Sequence, residues 1–148
     1  MHTPTGPPMI SQINLVVRDM EATVAFYRRL GFDVQPHPAA AHLEVHFANG
    51  LSLEFDTVDA VSMWDSGFAG ARAGAVVLGI ALASRDAVDE SFAELAAAGG
   101  TEHQRSYDAL WGGRYAMIED PDGYCLGLMS PIDDARKVWP PEAPPAGA

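Results

Sequence analysis

The segment His42–His46 carries histidine, glutamate and histidine at alternate positions, and these residue types bind metal ions. Alternate residues of a β-strand point to the same face of a sheet. The following Asn49-Gly50 pair predicts a two-residue hairpin loop, which places His46 opposite Leu53. This register turns the three ligand-type side chains away from any cavity and turns the intervening apolar residues and Phe47 toward it. We therefore expect a solvated strand face here, because a metal site needs converging ligands.

Two other predicted strands place polar side chains toward a cavity. The first has an apolar face that should meet a helix, which leaves Gln12 and Asn14 on the cavity side. The strand that begins at Leu51 likewise places Glu54 inward. A carboxylate in a cavity can contact a cationic group or act as a base. The alternative for Glu54 is a solvated carboxylate or an ion pair with Arg114.

Nucleophilic chemistry finds little support in the sequence. Cys125 is the single cysteine and is expected to face the cavity, but no motif pairs it with a histidine. A buried, inert thiol is the usual state of such a residue. The sequence has no Gly-x-Ser-x-Gly nucleophile elbow and no phosphate-binding Gly-Lys-Ser/Thr loop. It shows no complete catalytic constellation and implies no cofactor.

The composition limits the classes of partner. The 148 residues are 48% hydrophobic and 20% charged, which is typical of a folded globular domain. A formal net charge of −11 argues against binding to a phosphate backbone; it favours cationic ligands or serves solubility. No apolar run approaches the roughly 20 residues that span a membrane, and the N-terminus lacks a signal-peptide pattern. A cytoplasmic protein is expected.

An internal repeat organises the chain. Residues 13–19 (INLVVRD) resemble residues 80–86 (IALASRD), and each segment predicts a strand that precedes a helix. Asp19 and Asp86 are the predicted N-caps of the two helices. Apolar residues recur at i, i+4 and i+7 in both helices, which predicts one buried stripe on each. The stripe residues are Met20, Val24 and Tyr27 in the first helix and Val88, Phe92 and Leu95 in the second.

Each copy of the repeat is predicted to contain a strand, a helix and about three further strands, which gives an α+β fold of two βαβββ modules. The copies run from about residue 9 to 57 and from about residue 75 to 131. We interpret residues 1–131 as a single domain, with a connection at 58–74 that is rich in glycine and alanine. Residues 132–148 form a proline-rich C-terminal tail in which independent structure is not expected.

The duplicated pattern, the helix motif that ends in Leu30-Gly31-Phe32 and the Asp120-Pro121-Asp122-Gly123 hairpin resemble the vicinal oxygen chelate superfamily. That superfamily includes glyoxalase I, extradiol dioxygenases, fosfomycin-modifying enzymes and bleomycin resistance proteins. The resemblance implies two curved half-sheets around a cavity. In the metalloenzymes of the superfamily, a divalent ion is held by two residues from each module, which lie on the first and last strands.

The four ligand positions implied by this resemblance carry Gln12, Glu54, Gly79 and Gly127. Glycine offers no side chain, so a divalent ion would be held by one carboxylate and one amide and would bind weakly. We therefore expect the usual metal site to be absent. Gly127 stands where a carboxylate would be. Either its small size opens volume in the cavity, or both glycines relieve strain at a bend or bulge.

Aromatic side chains supply the remaining binding chemistry. Tyr107, Trp111 and Arg114 lie around the Gly112-Gly113 pair, and Trp64 lies in the connection between the copies. Planar side chains stack on planar ligands and attract cations. Alternatively, they close the cavity or are buried in a dimer contact. The candidate ligand-binding residues are therefore Gln12, Asn14, Phe47, Glu54, Trp64, Tyr107, Trp111 and Arg114.

Two classes of function remain. The favoured class is a non-catalytic protein of the bleomycin resistance type, which binds a small cationic or aromatic drug or metabolite without a metal. The alternative is a lyase or dioxygenase-type enzyme that acts on a small carbonyl or aromatic substrate, either metal-free or with an unusual metal site. The resemblance implies a homodimer. We expect no nucleic-acid partner and no membrane partner.

Overall fold

The computed structural model describes residues 10–35, 37, 40–66, 68, 70 and 76–138. These residues form the predicted α+β fold, with three helices and two mixed sheets of three and four strands. In the part of the chain that the structure describes, no helix is long and apolar enough to cross a membrane. The elements are β1 Gln12–Val17, α1 Met20–Leu30, β2 His42–His46, β3 Ser52–Thr57, α2 Val58–Trp64, β4 Val77–Ala81, α3 Arg85–Ala97, β5 Thr101–Asp108, β6 Arg114–Glu119 and β7 Cys125–Met129, followed by a 3-10 turn at Asp134–Arg136.

The first of two compact units comprises residues 1–21 and 33–71. Its sheet has the strand order β1-β3-β2, in which β1 is parallel and β2 antiparallel to β3. The sequence predicts about three strands after the first helix, whereas the structure forms two, because none of the described residues between 31 and 41 is in a strand. That segment contains Pro36 and Pro38, and proline cannot donate a hydrogen bond to a sheet ladder.

The loop between β2 and β3 has three residues instead of the predicted two. The amide of Phe47 donates to the carbonyl of Leu51 at 2.9 Å and closes the loop. A two-residue loop of the predicted type requires positive φ at Asn49 as well as at Gly50. Among the described residues only glycines have positive φ, and Gly50 has φ 87°. The backbone of Asn49 therefore selects the longer loop.

This loop shifts the register of β2 by one residue and reverses the faces predicted for it. His46 pairs with Ser52 and not with Leu53. A shift of one residue moves every side chain of a strand to the other face. The two histidines and the glutamate of β2 therefore share a face with Glu54, so the prediction that they lie outside the cavity is wrong. Phe47 lies on the opposite, apolar face, contrary to the prediction that it lines the cavity.

Helix α2 occupies the start of the segment that we interpret from the sequence as a connection. Thr57 caps the helix, because its side-chain oxygen accepts a hydrogen bond from the backbone amide of Ala60 at 3.3 Å. Ala60 and Val61 are buried, and the helix contacts β3 and β1. An N-cap threonine followed by Asp59 in the first turn is a helix-start signal. The sequence alone predicted no helix here because the segment continues after Trp64 with many glycines.

The second unit comprises residues 22–32 and 72–148, so it includes most of α1. Its sheet has the strand order β4-β7-β6-β5, and α3 packs on β5, β6 and β7. The predicted helical stripes are confirmed, since all their residues except the partly exposed Met20 are buried. The cap of α3 is Ser84 and not Asp86, because the Ser84 side chain accepts from the amide of Ala87 at 3.1 Å.

The turn between β6 and β7 is bonded directly to α1. Asp120 is 2% exposed, and its Oδ2 accepts a hydrogen bond from the hydroxyl of Tyr27 at 2.8 Å. Its Oδ1 accepts from the amides of Asp122 at 2.9 Å and Tyr124 at 3.0 Å. Burial raises the pKa of Asp120 and of Tyr27, and the carboxylate raises that of Tyr27 further. The Asp120 side chain therefore fixes the turn between β6 and β7 and holds α1 against it.

Candidate functional site

One face of the first unit's sheet is polar at almost every position. Alternation in β1 and β3 places their polar residues on this face, as predicted, and the observed register adds those of β2. The cross-strand rows are Gln12, Ser52 and His46; Asn14, Glu54 and Glu44; and Val16, Asp56 and His42. We call this surface the polar face. Only Val16 interrupts it.

Glu54 lies at the centre of the polar face and is 9% exposed. Its Oε1 accepts a hydrogen bond from the Ser52 hydroxyl at 2.9 Å. Its Oε2 lies 3.4 Å from the amide nitrogen of Gln12 and 3.3 Å from that of Asn14. Asn14 also donates to Oδ2 of Asp56 at 2.8 Å. The structure thus brings together three of the predicted site residues, Gln12, Asn14 and Glu54.

His42 is held in a defined orientation on the same face. Its Nδ1 lies 2.7 Å from Oδ1 of Asp56, whose side chain is 3% exposed. Its Nε2 lies 3.8 Å from a carboxylate oxygen of Glu44 and 3.8 Å from one of Glu54. The hydrogen bond to Asp56 raises the pKa of His42; burial opposes this shift, and the nearby carboxylates reinforce it. In the neutral ring, Asp56 selects the tautomer with the proton on Nδ1 and leaves Nε2 as an acceptor.

A pocket of about 570 Å³ opens over the polar face. Its floor is polar and acidic, and its wall is formed by the apolar side of α2. Met63 and Trp64 on that wall are 86% and 61% exposed, so the apolar surface faces solvent. A small molecule with a cationic group and an apolar part fits this combination. The lining residues are Gln12, Asn14, Ala41, His42, Glu54, Asp56, Ala60, Met63 and Trp64.

The two glycines at the implied ligand positions are partners in the second unit's sheet, where Gly79 pairs with Gly127. A Cβ atom at Gly127 would lie 2.5 Å from the hydroxyl oxygen of Tyr115. At Gly79, the nearest atom to such a Cβ is Cε of Met129 at 3.7 Å, an ordinary contact. The space beside Gly127 therefore holds the Tyr115 ring, which argues against the alternative in which this glycine opens volume in the cavity. These positions supply no metal ligands, so a metal held in the usual way does not fit.

The predicted aromatic residues are divided between the units. Trp64 belongs to the first unit and lines the pocket. Trp111 and Tyr107 belong to the second unit, where their ring centroids lie 5.1 Å and 6.2 Å from that of Tyr115, edge to face. Burial raises the pKa of Tyr107 and of Tyr115. In the second unit, these rings form a cluster packed beside Gly127.

Arg114, another predicted ligand-binding residue, is engaged in ion pairs on the second unit. Its Nε lies 2.9 Å from Oδ1 of Asp89 on α3, and its Nη1 lies 3.3 Å from Oδ1 of Asp108. Although burial acts in the opposite direction, the hydrogen bond between Asp89 and Arg114 lowers the pKa of Asp89 and raises that of Arg114. The guanidinium therefore ties β6 to α3.

Sequence reasoning missed His42 and Glu44 as residues of the polar face, although their alternation was recognised. The missing information was the length of the loop that follows β2, which depends on the backbone conformation of Asn49. The hydrogen bond between Asp56 and His42 likewise follows only from the observed register.

Comparisons with known proteins agree with the fold. The family model described as Glyoxalase/Bleomycin resistance protein/Dioxygenase superfamily matches residues 9–128. No curated protein shows significant sequence similarity to the chain.

Several solved structures are similar over most of their length. A glyoxalase-related enzyme from Fulvimarina pelagi is 25% identical, with a TM-score of 0.73 over 83% of this chain and 88% of that chain. A glyoxalase/bleomycin resistance protein/dioxygenase family enzyme from Burkholderia phytofirmans PsJN is 21% identical, with a TM-score of 0.69 over 82% and 97%. A lactoylglutathione lyase from Agrobacterium tumefaciens is 20% identical, with a TM-score of 0.58 over 84% and 94%. The last two similarities concern the fold alone.

Proposed function

We propose that this chain, which belongs to the Glyoxalase/Bleomycin resistance protein/Dioxygenase superfamily, is a binding protein. It holds a small cationic organic molecule in the pocket of its first unit and does not catalyse a reaction. The observation that carries the proposal is the composition of the pocket. Two nearly buried carboxylates, Glu54 and Asp56, form its floor. The solvent-exposed side chains of Met63 and Trp64 form an apolar wall.

The charge balance of the polar face supports a cationic ligand. Within the described part of the chain, every ion pair of Glu44, Glu54 and Asp56 is to a histidine. These pairs involve two histidines and three carboxylates, so at least one carboxylate lacks a counter-charge even when both histidines are protonated. Two unit charges 4 Å apart attract by about 4 kcal/mol at an effective dielectric constant of 20, before the cost of desolvation. An organic cation at Glu54 would gain part of this energy while its apolar part covers Trp64.

The test is a fluorescence titration with metal-free bleomycin, a cation with planar heteroaromatic parts. We expect saturable quenching of tryptophan emission, which the Trp64→Phe variant loses. Glu54→Gln keeps the shape of the side chain but removes its charge, and a hydrogen bond to a charged group contributes about 1.5–3 kcal/mol. The dissociation constant should therefore rise about 10- to 150-fold.

The matched control is Glu119→Gln, which alters a half-buried strand glutamate of the second unit. It should leave the dissociation constant unchanged. Quenching that persists in Trp64→Phe, or equal affinities of the Glu54→Gln and parent proteins, would place the ligand elsewhere. An uncharged aromatic compound of similar size that binds as tightly would show that charge has no role.

A second candidate is a lyase or dioxygenase-type enzyme with an unusual metal site. The observation that favours it is the convergence of His42, Glu44 and Glu54 on the polar face. Oxygen uptake with a catechol and consumption of a small 2-oxoaldehyde, each with and without added divalent metal, separate the two functions. Turnover that Glu54→Gln abolishes would favour the enzyme over the binding protein.

We also propose that the chain is a homodimer, because in bleomycin resistance proteins the binding clefts form between two subunits. Sedimentation equilibrium should give the mass of two chains. The mass of one chain at micromolar concentration would contradict this proposal and leave the pocket of the first unit unaffected, because its lining residues all belong to that unit.

A further inference from the structure

We infer that His42, Glu44 and Glu54 form a binding site for a divalent transition-metal ion such as Zn²⁺, held within the first unit alone. This inference goes beyond the proposed function. It also differs from the ligand pattern of the superfamily, because His42 and Glu44 lie on β2, which is neither the first nor the last strand of the module.

The distances between the ligand atoms fit one ion. One atom from each residue can be chosen so that all three lie within 4.8 Å of one another. Nε2 of His42 is 3.8 Å from an oxygen of each glutamate. Two ligands that are each about 2.1 Å from a tetrahedral zinc ion lie about 3.4 Å apart. To share a metal, the two His42 distances must shorten by about 0.4 Å, and the distance between the two glutamate oxygens by at most about 1.4 Å.

The histidine is prepared as a ligand. A metal-binding histidine almost always donates its other ring nitrogen to a carboxylate or carbonyl, which fixes the ring and its tautomer. Asp56 supplies this partner at Nδ1, and its second oxygen is held by Asn14. The nearly buried Asp56 thus positions the ring, and Nε2 lies on the side of the two glutamates.

The pairing of the strands supplies an independent reason for a cation. Glu44 and Glu54 are direct cross-strand partners. Like charges directly opposite each other in a sheet are destabilising. A divalent ion between the two carboxylates would turn this repulsion into attraction. Three protein ligands also leave one tetrahedral position for water or another ligand.

The site is tested by isothermal titration of the dialysed full-length chain with Zn²⁺, and by elemental analysis. We expect one ion per chain and a weaker affinity for Mg²⁺, because imidazole favours transition metals. His42→Gln, Glu44→Gln and Glu54→Gln should each weaken Zn²⁺ binding at least tenfold. Asp56→Asn should weaken it about 10- to 100-fold, as expected for a residue that positions a ligand.

The matched control is His46→Gln, which removes a histidine that touches Glu44 at 3.2 Å but is not part of the ligand set. Its Zn²⁺ affinity should stay within about twofold of the parent chain, and circular dichroism should show that all variants fold. Equal affinity of the His42→Gln and parent proteins would overturn the site, as would equal binding of Mg²⁺ and Zn²⁺.

The metal site and the pocket share His42, Glu54 and Asp56. Glu44 belongs to the metal site alone and Trp64 to the pocket alone, so the two proposals can fail separately. Trp64→Phe should lose the quenching by metal-free bleomycin and keep the Zn²⁺ affinity of the parent chain, because Trp64 offers no ligand atom to the metal. Glu54→Gln should weaken both. Zn²⁺ binding without any bleomycin binding would contradict the proposed function alone, whereas bleomycin binding in a chain that takes no Zn²⁺ would contradict the metal site alone.

Discussion

Gly127 and Gly79 are adjacent partners in one sheet, yet the structure predicts opposite effects when each is replaced by alanine. The new methyl group of Gly127→Ala would lie 2.5 Å from the Tyr115 hydroxyl oxygen and 3.1 Å from two ring carbons. Trp111 and Tyr107 contact the same ring edge to face. The ring must therefore shift together with its neighbours.

The expected cost of Gly127→Ala is about 1–3 kcal/mol, the usual range for inserting a methyl group into a packed site. For a chain of this size, 1 kcal/mol corresponds to roughly 2–4 °C in the unfolding midpoint. In Gly79→Ala the new methyl group meets only Met129 at 3.7 Å. That variant should be neutral or more stable by up to about 1 kcal/mol, because alanine restricts the unfolded chain more than glycine does.

Urea unfolding of both variants, monitored by circular dichroism, gives the two free energies of unfolding. The double variant Tyr115→Ala with Gly127→Ala isolates the contact: once the ring is absent, Gly127→Ala should no longer destabilise the chain. If Gly127→Ala is as stable as Gly79→Ala, the Tyr115 ring does not fill this space, and our account of the glycine is refuted.

Further predictions concern the other buried contacts. Tyr27→Phe should lower the free energy of unfolding by about 1–3 kcal/mol, because it leaves the buried Asp120 carboxylate without its hydroxyl donor; an unchanged midpoint in urea would contradict this contact. The raised pKa of Tyr27 means that its contribution is complete below pH 10, the ordinary value, and is lost as the pH rises above it. Stability measured from pH 8 to 11 should fall, and it should fall less steeply in Tyr27→Phe. Thr57→Ala should lower the stability by about 0.5–2 kcal/mol through loss of the α2 cap, whereas Thr57→Ser should retain it.

The sequence by itself determined the elements that depend on local periodicity. Alternation in β1 placed Gln12 and Asn14 on the pocket face, and alternation in β3 placed Glu54 there. Helical spacing identified the buried stripes of α1 and α3, because a 3.6-residue period leaves one apolar side that must be buried. The repeat led to the correct superfamily.

Contacts between distant residues were decided only by the tertiary structure. Tyr27 and Asp120 are 93 residues apart, and nothing in either local pattern indicates that they meet. The space beside Gly127 belongs to Tyr115 because two strands bring them together diagonally. In the same way, the ion pair between Arg114 and Asp89 joins β6 to a helix that lies 25 residues earlier in the chain.

The polar face shows how the length of one loop changes the composition of a site. The sequence shows the ligand-type residues of β2 at alternate positions, so they are expected to share one face of the strand. One residue of loop length decided whether His42 and Glu44 join Glu54 or point away from it, because side chains alternate with a period of two along a strand. That length depends on the backbone of Asn49, which residue types do not fix. Only the folded hairpin assembles the histidine and the carboxylates.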